Sequence, residues 1–121
     1  MNISECYEKL GGNYAEVCTR LPSEKFIERM IGKFLQDESF ADLCKELEAG
    51  NREEAFRAAH TLKGVCANLS FTKLFDSSSR LTEELRAETD VISEAAVEIL
   101  AEVKRDYDVT VEAIREYLSQ S

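Results

Sequence analysis

The chain has 121 residues, 44% hydrophobic and 32% charged, so it can bury a core without disulfide or metal support. A formal net charge of −9 argues against nucleic acid and anionic membrane surfaces as partners, since both need a basic footprint. The four cysteines, Cys6, Cys18, Cys44 and Cys66, form no Cys-x-x-Cys pair and have no second histidine to join them, which argues against a metal site.

The start of the chain, Met1-Asn2-Ile3-Ser4-Glu5, lacks the basic and then apolar pattern of a signal peptide, and no apolar run approaches the length of a membrane span. A soluble, cytoplasmic protein with reduced thiols is the expectation. Residues 1–19 read as an N-terminal helical segment, one or more short helices broken at Gly11-Gly12. From about residue 20 to 118 the apolar residues recur at three and four, the period of a helix. Ser23 is a plausible N-cap for a face of Ile27, Met30 and Phe34, with Gly32 inside it marking close approach of another helix. Ser39 is a second N-cap, before Phe40, Leu43 and Leu47. Gly50 suits a left-handed cap, and Asn51 with Glu54 reads as a capping box opening the next helix.

That next helix, from about Arg52 to Leu69, carries the seam Ala55, Ala59, Leu62, Cys66 and Leu69. Phe71, Leu74, Ser78, Leu81 and Leu85 form a further stripe, and Leu100, Val103, Tyr107, Thr110, Ile114 and Tyr117 form the last. Cys44 and Cys66 fall in apolar stripes and read as small buried thiols. Narrow seams with short connections predict an all-α fold, an antiparallel up-down bundle in a single domain over 1–121.

The only histidine, His60, lies nearly opposite its helix's seam when residues are placed 100 degrees apart. Glu53, Arg57, Lys63, Gly64 and Ala67 share that face, so His60 is expected in solvent between two cations, with bare backbone one turn on. A mid-helix glycine costs about 1 kcal/mol against alanine and usually has a packing or functional reason. The nearest thiol, Cys66, points into the core, so a Cys-His or Ser-His hydrolase site is not supported. Gly11-Gly12-Asn13 is neither a P-loop nor a dinucleotide fingerprint. What fits is an exposed imidazole nucleophile flanked by cations. An imidazole in water is largely neutral near pH 7, and its neutral form suits it to take a phosphoryl group.

The run His60-Thr61-Leu62-Lys63-Gly64-Val65-Cys66-Ala67-Asn68-Leu69 resembles the phosphorylation motif of histidine phosphotransfer (HPt) domains of two-component phosphorelays. The resemblance extends through Glu48-Ala49-Gly50-Asn51 and Glu54-Ala55-Phe56-Arg57-Ala58-Ala59, and on to Leu74 and Leu81-Thr82-Glu83-Glu84-Leu85. It implies a four-helix bundle in which His60 takes phosphate from a receiver-domain aspartate and passes it on. Lys63 then stabilises the phosphate charge, Gly64 gives steric access, and Arg57 is a further candidate for charge stabilisation. Val65 and Cys66 stand where small residues are frequent in the family, and Ser70 replaces a frequent glycine, which leaves the helix end open. The implied partners are response-regulator receiver domains and a hybrid histidine kinase. No cofactor of the chain's own is expected, since Mg²⁺ comes with the receiver. With no room for an ATP-binding kinase domain, the chain reads as a stand-alone carrier and not as an enzyme. Two alternatives are a helical interaction module that is not phosphorylated, and the separately expressed phosphoacceptor domain of a chemotaxis-type histidine kinase.

Overall fold

A computed structural model describes residues 1–86 and 89–120. Among the described residues there is no strand, and seven helices follow one another: α1 (Ile3–Leu10), α2 (Tyr14–Arg20), α3 (Glu24–Phe34), α4 (Ser39–Glu48), α5 (Arg52–Leu69), α6 (Thr72–Glu84) and α7 (Glu94–Leu118). Short polar side chains open most of them. Asn2 accepts from the Glu5 amide at 2.8 Å while the Glu5 carboxylate accepts from the Asn2 amide at 3.0 Å, a complete capping box. Asn13, Ser23 and Ser93 accept from the amides of Glu16, Phe26 and Ala96 at 3.0–3.1 Å.

Two expected caps are different in the structure. Ser39 is the first residue of α4 and not its cap; its amide donates to the Asp37 carboxylate at 2.9 Å, so Asp37 does that work from two residues upstream. Gly50 does adopt the left-handed conformation, at φ 78°, but Asn51 forms no side-chain cap. Its amide group instead donates to Glu46 at 3.0 Å, drawing the side chain back toward α4 and leaving the capping box with Glu54 unmade. Gly32 does not mark a close approach of another helix either. A Cβ there would lie 3.6 Å from Leu118, an ordinary contact that calls for no glycine.

Neighbours in sequence are neighbours in space: α4 packs on α5, α5 on α6 and α6 on α7, while α1 lies along α7. The apolar stripes meet in one core that includes Ile27, Leu43, Leu62, Leu74, Leu81 and Ile114. Each such side chain contributes about 1.5–3 kcal/mol by leaving water. Aromatic rings stitch the helices together. Phe34 meets Phe71 edge-on at 5.1 Å between centroids, and Phe40 stacks on Tyr107 at 4.1 Å. Cys6 and Cys66 are buried, Cys44 is only half-buried, and Cys18 is exposed. No helix among the described residues is long and apolar enough to cross a membrane.

The N-terminal helices are fixed to the far end of α5. The Asn13 amide donates to the Ser70 carbonyl at 2.9 Å and the Lys73 amide to the Gly11 carbonyl at 3.0 Å. This approach requires glycine at position 12, where a Cβ would sit 2.8 Å from both the Ser70 carbonyl oxygen and the Tyr7 ring.

Candidate functional site

Helix α5 presents two faces with different duties. Ala55, Ala59, Leu62, Cys66 and Leu69 are buried, while Glu53, Arg57, His60, Gly64 and Ala67 are exposed and Lys63 is half-buried at the margin. The periodicity thus places His60 on the outer face of an uninterrupted helix, eight residues after its start. A Cβ added at Gly64 would meet no described residue within 4 Å. No neighbouring group among the described residues requires glycine there.

The C-terminal end of α5 is secured carbonyl by carbonyl. Ser70 takes up the left-handed conformation at φ 56° that glycine usually supplies. The Phe71 amide donates to the Cys66 carbonyl at 3.0 Å, Arg20 donates to the Ala67 carbonyl at 2.7 Å, and the Tyr7 hydroxyl to the Leu69 carbonyl at 2.8 Å. The Ser70 hydroxyl donates to Glu16 at 2.8 Å and accepts from Arg20. Those same two partners, first Ser70 and then Arg20, hold the Glu16 carboxyl below its usual range. The substitution of serine for glycine therefore does not fray the helix that carries His60.

The two cations expected to flank His60 are placed differently from one another. Arg57 is already engaged, 2.9 Å from Glu53 and 3.6 Å from Glu54. Lys63 is placed one turn beyond His60 and has no ion-pair partner among the described residues. Two further groups were not singled out by sequence reasoning. The Phe56 ring lies 6.1 Å from the imidazole between centroids, and the Arg86 guanidinium stands over Phe56 at 5.0 Å. Phe56, Arg57, His60, Thr61 and Arg86 line one shallow depression of about 450 Å³. Spacing on α5 could have shown Phe56, one turn before His60. Arg86 had no such signal, because it reaches the site from the end of α6 through the packing of two helices.

Among the described residues, those lining the depression include no thiol and no carboxylate beside His60, and no group of His, Cys, Asp or Glu could hold a metal ion. The site offers one accessible imidazole, cations around it and open space one turn on. A family model, that of the Hpt domain, matches residues 29–120. The chain belongs to the Hpt domain family. Hpt domains carry out histidine phosphotransfer in phosphorelays, and the match takes in α4 to α7 with most of α3. Residues 1–28, including the Tyr7 and Arg20 that secure the end of α5, lie outside it. No curated protein and no solved structure matches the chain.

Proposed function

We propose that this Hpt protein is a stand-alone, cytoplasmic phosphorelay carrier whose acceptor is His60. In this reading α4 to α7 form an antiparallel up-down four-helix bundle, and α5 offers its outer face to a receiver domain. The observation that carries the reading is His60 in solvent, with Lys63 and Gly64 one turn on, neither ion-paired nor covered by any described residue, on a helix whose other face is buried.

The step needs little from this chain beyond placement. A ring nitrogen lone pair of neutral His60 attacks the phosphorus of an aspartyl phosphate. The phosphorus–oxygen bond breaks and the aspartate leaves as a carboxylate. The imidazole, now bearing the phosphoryl group, carries a positive charge that it relieves by releasing its remaining ring proton to water. The reverse sequence hands the group to a second receiver. Lys63 screens the phosphoryl charge, with Arg57 and Arg86 as further cations at the rim. Mg²⁺ belongs to the receiver's aspartate, so this domain needs no cofactor of its own for the step.

The test is to mix the protein with a labelled, phosphorylated receiver and Mg²⁺. Label should move onto the chain, be lost in mild acid and survive base, as a phosphoramidate does. His60→Gln should keep its helical signal and take no label. Label on that variant would place the acceptor elsewhere, and a wild-type chain that binds receivers but takes no label would be an interaction module.

A further inference from the structure

Both arginines at the rim of the His60 depression are held by glutamates of their own helix or helix end. Glu83 receives Arg86 on both carboxylate oxygens, from Nη2 at 3.1 Å and from Nε at 3.2 Å. The same guanidinium stands over the ring of Phe56, the ring that neighbours His60. Arg86 is therefore confined from two sides, by a carboxylate and by an aromatic face, at the edge of the space a phosphoryl group on His60 would enter. Such a group would compete with Glu83 for the guanidinium.

Resting on the carrier reading, we infer that Glu83 is a positioning residue that sets how tightly the site holds its phosphoryl group, by occupying Arg86 in the unphosphorylated protein. A carrier must give up what it accepts. Cations that gained their full interaction with phosphohistidine would stabilise it and hinder onward transfer. A cation that must first leave a carboxylate returns only the difference between two ion pairs, and that difference is small at an exposed site. Glu83 also feels Lys63, which together with Arg86 holds its carboxyl below the usual range, Arg86 having the larger effect. One carboxylate on α6 thus faces two of the cations around the acceptor. Arg57 is held in the same manner by Glu53 and Glu54, but it lacks the stacking on Phe56 that fixes Arg86.

The test uses the full chain, a labelled phosphorylated receiver and Mg²⁺, and reads the share of label on the chain at equilibrium together with the lifetime of the phosphohistidine. Glu83→Gln should raise both by about two- to fivefold, the range an exposed ion pair supports. Arg86→Ala should lower both. In the Arg86→Ala background the Glu83→Gln effect should largely vanish, because it acts through Arg86. The side chains of Glu83 and Arg86 are 60% and 53% exposed, so the variants should fold as the parent does, which circular dichroism checks. An equal Glu83→Gln effect with and without Arg86 would reduce Glu83 to a background charge, and no effect in either would also overturn the inference. If the wild-type chain takes no label, the carrier reading itself fails. If it takes label but the two residues show no coupling, only the role of Glu83 fails.

Discussion

Gly64 is where folding and the proposed function make opposite demands. A glycine inside α5 forgoes helix propensity, and no contact with a described residue repays it, because a Cβ at this position would meet none of them within 4 Å. Gly64→Gln should therefore raise stability by roughly 0.5–1 kcal/mol, read from chemical denaturation. The same side chain, one turn from His60, should slow transfer from a receiver at least tenfold by standing where the partner's backbone must come. A small phosphodonor, should one act on His60, would be far less hindered. Lower stability with unchanged transfer would instead make the glycine a requirement of the fold. The imidazole's own contribution to folding is small, since its side chain is exposed and its one aromatic neighbour is 6.1 Å away.

At the scale of the element, α5 depends on partners distant in sequence. The Tyr7 hydroxyl that donates to the Leu69 carbonyl is fully buried, so Tyr7→Phe leaves that carbonyl without its donor. The expected cost is about 1–3 kcal/mol in a denaturant titration, with transfer still working in the folded fraction. A change within error would mean the carbonyl finds another donor. The bounds of α5 were legible in the sequence because its signals are local: the seam from Ala55 to Leu69 repeats with the helix, and the same periodicity put His60 outside. The Asn51 capping box failed because a competing carboxylate, Glu46, lies on the preceding helix. Arg86, Tyr7 and Arg20 were illegible for the same reason in reverse. Each meets α5 only after another helix has packed on it, the next one for Arg86 and distant ones for Tyr7 and Arg20, and no periodicity announces such a meeting. The family match begins at residue 29 and so leaves out Tyr7 and Arg20, which finish the helix.

For the whole molecule, buried thiols and a buried phenol set an alkaline limit. Burial pushes Cys6 up to about 11 from the ordinary 9.0, with Glu116 adding to the rise and Lys9 opposing it. Burial likewise raises Cys66 and Tyr7. These groups hold their protons more tightly folded than unfolded, so the unfolded chain ionises first. The stability Cys6 supplies is complete below about pH 9 and is lost as pH rises through about 11, while Cys66 and Tyr7, raised further, go on losing theirs at higher pH. Denaturation midpoints should be level from neutral pH to about 9 and fall beyond it. Cys6→Ala together with Cys66→Ala should flatten that fall, and an equally steep fall in the double variant would assign it to Tyr7 or to the general loss of lysine charge. The anionic surface, with a net charge of −9, works in the same direction at high pH.

A carrier differs from an end point in that its phosphoryl group leaves again. The most direct measurement loads the wild-type chain with label from one phosphorylated receiver, removes that donor, and adds a second, unlabelled receiver with Mg²⁺. Label should drain from the chain to the second receiver's aspartate, and His60→Gln should neither load nor pass any. Label that loads on His60 and stays there through the chase, or that moves just as well in the His60→Gln chain, would contradict the account.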